Sequence, residues 1–173
     1  MLPELTLVLG GAASGKSAFA EGLVAADGRH KIYLATAEIH DTEMRAKVHR
    51  HRTARGPGWR TIEAPLDVST PLDAATNEQI VLLDCATMWL SNHLLAENDL
   101  AEAKAGLMAT LMMTPAPVVV VSNEVGMCVV PDNPLARRFR DEQGRLNQEL
   151  AAQAGLVVNV VAGLPQVLKG ALP

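Results

Sequence analysis

Gly10-Gly11-Ala12-Ala13-Ser14-Gly15-Lys16-Ser17 follows the apolar run Leu5-Thr6-Leu7-Val8-Leu9 and precedes Ala18-Phe19-Ala20-Glu21-Gly22-Leu23-Val24, a segment with helical character. The order is strand, glycine-rich turn, helix N-terminus, which is the context a phosphate-binding loop requires. Glycines let the backbone curl so that successive N–H groups point at phosphate oxygens, and the helix dipole adds positive potential there. In this pattern Lys16 reaches the β- and γ-phosphates, and the Ser17 hydroxyl is a ligand for Mg²⁺. The expected ligand is a nucleoside triphosphate.

The strands that flank the loop set the architecture. Lys31-Ile32-Tyr33-Leu34-Ala35-Thr36 and Trp59-Arg60-Thr61-Ile62-Glu63 read as strands. So do Ile80-Val81-Leu82-Leu83-Asp84, Val118-Val119-Val120-Val121-Ser122 and Leu156-Val157-Val158-Asn159-Val160-Val161, which is taken as the last. Helical patterns are expected over about 41–55, 86–96, 99–113 and 134–154, with a weak helix or loop over 66–78. Strands that are apolar throughout and alternate with helices imply a parallel sheet covered on both faces. With no linker, repeat or low-complexity segment, residues 1–173 read as one α/β domain. Ligands of such sheets bind at the carboxyl ends of the strands. There the loop, Thr36, Asp84 and Asn123-Glu124 should converge.

Composition narrows the functional class. A net charge of −4 argues against a general nucleic-acid binder, and with only 3% aromatics a base-stacking platform is hard to build. No stretch approaches the ~20 apolar residues of a membrane span. Met1-Leu2-Pro3-Glu4 lacks a basic region of the kind that opens a secretory signal, and Cys85 and Cys128 are the only cysteines. A reducing cytoplasm is the expected location.

Asp84 ends an apolar strand, the place of an acid that holds Mg²⁺ in P-loop proteins. The competing role is to cap the helix that starts at Cys85-Ala86-Thr87. Arg45, Lys47, Arg50, Arg52 and Arg55 surround His49 and His51 on one short segment of an acidic chain. This is either a solvated helix face or a second phosphate-binding surface. In the second case a neutral imidazole beside cationic donors can attack an α-phosphate while the donors hold pyrophosphate. On a helix His49 and His51 lie about 200° apart, so the two cannot face one phosphate. A zinc site there lacks nearby cysteines, while His30, His40 and His93 are isolated. Asn123-Glu124-Val125-Gly126 offers an acceptor contact or a plain connection, and Arg137-Arg138-Phe139-Arg140-Asp141 with Arg145 and Asn147 offers phosphate or subunit contacts.

Nearly end to end, the chain resembles the bifunctional adenosylcobinamide kinase / adenosylcobinamide-phosphate guanylyltransferase family of cobalamin biosynthesis. The resemblance runs through the phosphate-binding loop, Tyr33-Leu34-Ala35-Thr36-Ala37, Asp41-Thr42-Glu43-Met44, His51-Arg52, Trp59-Arg60-Thr61-Ile62-Glu63 and Leu83-Asp84-Cys85. It continues through Ser122-Asn123-Glu124-Val125-Gly126-Met127, Val130-Pro131, Leu135-Ala136-Arg137-Arg138-Phe139-Arg140-Asp141 and Gly144-Arg145-Leu146-Asn147-Gln148.

The resemblance implies a RecA-like P-loop fold, a homotrimer and two reactions. In the first, ATP or GTP gives its γ-phosphate to the aminopropanol hydroxyl of adenosylcobinamide. In the second, a histidine takes GMP from GTP and passes it to adenosylcobinamide phosphate, giving adenosylcobinamide-GDP. By resemblance the histidine is His51, and Ala35, Thr36, Ala37, Arg52, Thr53, Ala54, Arg55, Glu63 and Asp84 lie about the guanine nucleotide. Two positions depart from the family pattern: Ala13 where many members carry Arg, and Arg50-His51 where some carry a His–His pair. A kinase without the guanylyl step is the nearest alternative. A GTPase switch is disfavoured, because Asn123-Glu124-Val125-Gly126 stands where its Asn-Lys-x-Asp would be.

Overall fold

The structure, a computed structural model, describes residues 1–38 and 58–173. The expected helix over about 41–55, and with it His40, His49, Arg50, His51, Arg52, Thr53, Ala54 and Arg55, lies outside the described residues.

The strands are β1 (Leu5–Gly10), β2 (His30–Ala35), β3 (Trp59–Glu63), β4 (Gln79–Asp84), β5 (Val118–Asn123), β6 (Leu156–Val161) and β7 (Leu164–Lys169). Among the described residues the helices are α1 (Lys16–Ala26), α2 (Ser69–Asp73), α3 (Ala86–Leu95), α4 (Leu100–Met113) and α5 (Pro134–Gln153). The strands form one sheet in the order β3-β2-β4-β5-β1-β6-β7, parallel except for the last pair.

β1, β4 and β5 are buried along almost their whole length because helices cover both faces of the sheet. One face packs Leu7, Leu34, Val81, Leu83, Val118 and Val120 against Trp89, Leu107, Leu146 and Leu150 of α3, α4 and α5. The other packs Val8, Leu82, Val119, Val121, Val158 and Val160 against Ala20 and Val24 of α1. This alternation sorts every strand-end residue: Asp84 falls in step with Ile80 and Leu82, and Asn123 with Val119 and Val121, on the α1 side.

β6 is not the last strand. β7 follows it through Ala162 and Gly163, both at positive φ, and pairs with it antiparallel. All six β7 residues are exposed and one is Pro165, so the segment has no buried apolar run to announce it. Its Lys169 ammonium donates to the Ala151 and Ala152 carbonyls at 3.0 and 2.9 Å, satisfying the C-terminal end of α5. Within 66–78 the chain makes only the short helix α2. α4 and α5 are joined by the mostly buried Lys104, which donates to Glu142 Oε2 at 2.9 Å. That hydrogen bond holds the Glu142 carboxyl below its ordinary range despite the opposing effect of burial.

Candidate active site at the carboxyl edge

The loop Gly10-Gly11-Ala12-Ala13-Ser14-Gly15 joins β1 to α1, and Lys16 and Ser17 occupy the first turn of that helix. Gly15 is the N-terminal flanking residue at φ +94°, a conformation that favours glycine. No side chain caps this end of α1, so its N–H groups are left to a ligand. The loop is braced from within and, by Gly163, from outside. Ser14 N–H donates to Gly11 C=O at 3.3 Å, Gly163 N–H donates to Ser14 C=O at 2.8 Å, and Lys16 Nζ donates to Gly11 C=O at 3.1 Å. Ala13, at φ +56°, has the smallest side chain that still carries a Cβ at this left-handed position.

Gly10 is required by close approach. A Cβ there would collide with Ser14 Oγ and stand 2.7 Å from the Val160 carbonyl oxygen, which is backbone and cannot swing away. Gly10→Ala should therefore cost about 1–3 kcal/mol of stability by overpacking. It should also weaken nucleotide binding, because relief comes only by displacing the loop. Urea unfolding together with a nucleotide titration checks both.

The remaining candidates line up by strand register. Ala35 at the end of β2 is paired with Glu63 of β3 on one side and Asp84 of β4 on the other. Ala64 N–H donates to Ala35 C=O at 2.8 Å and Thr36 N–H to Asp84 C=O at 3.3 Å, so the chain stays tied just past the strand ends. The Thr36 hydroxyl is committed to Cys85, donating to its carbonyl and accepting its N–H, both at 2.7 Å. Asn92 Nδ2 in turn holds the Thr36 carbonyl at 2.8 Å. Thr36 thus clamps β2 to the start of α3. Thr36 and Ala37 follow β2 directly, at the same edge as the loop.

Asp84 does not cap α3. The flanking residue is Cys85, whose Sγ accepts the Met88 N–H at 3.4 Å. Asp84 Oδ2 instead accepts the Tyr33 hydroxyl at 3.1 Å, and Tyr33 is set by an edge-on contact with Trp59. Burial pushes the Cys85 thiol up to about 11, with the Asp84 carboxylate adding to the rise and the Lys16 ammonium opposing it. Asp84 and Lys16 therefore share one electrostatic neighbourhood. Both cysteines are free: Cys85 buried, Cys128 exposed.

β5 supplies what single residues did not reveal. Gly10 pairs with Asn123, and Glu124 N–H donates to Gly10 C=O at 3.1 Å, so the 123–126 turn is hydrogen-bonded to the phosphate-binding loop. Behind it Gln143 Nε2 donates to Ser122 Oγ at 2.9 Å, and Ser122 Oγ donates to Asn147 Oδ1 at 2.6 Å. Asn147 is buried in this network. Arg137 holds the Pro131 and Asp132 carbonyls, and Arg140 pairs with Asp141.

A glycine-rich loop between a central strand and an uncapped helix, with an acid ending the next strand but one, defines a P-loop nucleoside-triphosphate-binding protein. The fold agrees with that class. A type III secretion ATPase of pathogenic bacteria superposes with a TM-score of 0.61 at 11% identity, over 96% of this chain and 57% of that one. The chain belongs to the cobinamide kinase / cobinamide phosphate guanyltransferase family, whose model matches residues 6–168. It is 42% identical over 167 residues to the bifunctional adenosylcobalamin biosynthesis protein CobP of Pseudomonas aeruginosa, covering 95% of this chain and 96% of that protein. It is 41% identical over 182 residues to the bifunctional adenosylcobalamin biosynthesis protein CobU of Escherichia coli, covering 95% and 99%. Among the described residues no helix is long and apolar enough to cross a membrane.

Proposed function

We propose that this enzyme phosphorylates adenosylcobinamide with ATP or GTP and then transfers GMP from GTP to adenosylcobinamide phosphate, yielding adenosylcobinamide-GDP. The observation that carries this reading is the full-length family match around a phosphate-binding loop whose helix end is left open for an anion. In the kinase step the loop N–H groups and Lys16 hold the β- and γ-phosphates while the acceptor hydroxyl attacks in line. In the second reaction the His51 imidazole attacks the α-phosphorus of GTP, and pyrophosphate leaves with the bonding electrons. A phosphate oxygen of adenosylcobinamide phosphate then displaces the histidine. Arg52, Thr53, Ala54, Arg55, Glu63, Ala35, Thr36 and Ala37 surround the guanine nucleotide on this reading.

The donor set suits Mg²⁺. A hydroxyl at Ser17 and a carboxylate at Asp84 are hard oxygen ligands, too few for an all-protein cage but apt for an ion that keeps water and phosphate oxygens. When bound, Mg²⁺ neutralises charge on the transferring phosphates. The enzyme acts in the cytoplasm as a homo-oligomer, a homotrimer by its resemblance to the family.

Two parallel incubations with adenosylcobinamide test the reading, one with γ-labelled and one with α-labelled GTP. Label from the first in adenosylcobinamide phosphate, and from the second in adenosylcobinamide-GDP, is expected. Transfer from the γ-position alone would leave a kinase without the guanylyl step.

A further inference from the structure

The described residues leave four buried side-chain atoms without a hydrogen-bond partner, and one of them, Asn123 Oδ1, belongs to the strand between the phosphate-binding loop and Asp84. β5 separates β1 from β4, and the alternation of its side chains puts Asn123 on the α1 face, shared with Asp84 and the loop.

The backbone of Asn123 is held on both sides. Its N–H donates to Thr87 Oγ1 at 2.8 Å, and its C=O accepts from Asn147 Nδ2 at 3.0 Å. Asn147 is itself fixed by Ser122 and Gln143, and Thr87 rides on the helix that begins just after Asp84. Four polar residues from β5, α3 and α5 therefore fix the backbone that carries this carboxamide, and its acceptor oxygen is left unused. A buried acceptor without a partner costs stability, and such groups concentrate where a ligand supplies the missing bond.

We propose that Asn123 Oδ1 accepts a hydrogen bond from the acceptor hydroxyl of adenosylcobinamide and so aims an oxygen lone pair at the γ-phosphorus. This rests on the kinase reading above and adds a residue for the acceptor rather than for the nucleotide. The hydroxyl oxygen forms its bond to the γ-phosphorus as the bond to the β,γ-bridging oxygen breaks. The nucleoside diphosphate leaves with that electron pair, and the hydroxyl proton passes to water. Asn123 is a neutral amide, so it orients the nucleophile and takes no proton. The positioning residues behind it are Thr87, Ser122, Gln143 and Asn147.

The test compares wild type with Asn123→Leu, which keeps the branched shape at a larger volume and removes both polar atoms, and Asn123→Ser, which keeps an acceptor oxygen. γ-Phosphoryl transfer to adenosylcobinamide and thermal unfolding are measured for each. Asn123→Leu should lower kcat by about 100-fold, the scale of a misaligned attack, with the nucleotide KM within about threefold of wild type. Its melting temperature should stay within about 5 °C of wild type, because removing a buried unpaired acceptor offsets the bulkier side chain. Asn123→Ser should recover part of kcat. Transfer by Asn123→Leu within about threefold of wild type would overturn the proposal, as would a melting temperature lowered by about 5 °C or more in both variants, the mark of a structural residue. If wild type itself fails to label adenosylcobinamide, the kinase reading falls first and takes this assignment with it; a labelled wild type with an unaffected variant sinks the Asn123 assignment alone.

Discussion

Lys16→Ala should lower γ-phosphoryl transfer by about 100- to 1,000-fold, the scale seen when one preorganised donor is removed from developing charge. The ammonium is the only side-chain cation in the Gly10–Ser17 loop, and it leaves the first turn of α1 where the helix N–H groups are already uncapped. Backbone dipoles and one full charge act there on the same phosphate oxygens. Removing the charge leaves the cradle but takes away the group that follows negative charge onto the leaving diphosphate. Self-guanylylation should fall as well, since the same loop must hold pyrophosphate as it departs. Lys16→Arg should not restore either reaction, because a planar guanidinium does not fit a space shaped for a compact ammonium. Thermal unfolding measured beside transfer separates loss of the phosphate contact from loss of the fold. Transfer by Lys16→Ala within tenfold of wild type would remove Lys16 from the phosphate site.

What could be read from residue order was what depends on neighbours in sequence. β1, β4, β5 and β6 declare themselves because a strand covered on both faces must be apolar at successive positions, as Val118-Val119-Val120-Val121 is. The P-loop and the acid at the end of β4 follow from the same logic of strand ends. β7 carries no such signature: it is an exposed edge with a proline, and only its pairing with β6 makes it a strand. The sequence offered Asp84 as a cap of α3, and the structure caps that helix with Cys85 instead. Asp84 accepts from Tyr33, 51 positions away along the chain, a contact no local pattern could show. The network behind Asn123 joins residues 21 to 36 positions apart, so no local pattern could show it. Gln143 and Asn147 are four apart on a helix, and that spacing equally describes a solvated polar face. Burial decided between the two.

His51→Ala should abolish covalent attachment of GMP to the protein, lowering label from α-labelled GTP by about 1,000-fold or more, as expected when a nucleophile rather than a positioning group is lost. Guanylyl transfer by two displacements needs a side chain that attacks phosphorus at neutral pH and then leaves. A neutral imidazole does both, and cations beside it favour the neutral ring by penalising a second positive charge. Arg50, Arg52 and Arg55 flank His51 in sequence, and on the function proposed above their guanidiniums would hold the phosphates that depart. His49 lies in the same cationic run, so His49→Ala is the control, and it should keep its label. The adduct should be labile to acid and stable to base, which distinguishes a phosphoramidate from an ester on Ser or Thr. Label lost in His49→Ala but kept in His51→Ala would move the nucleophile by two residues.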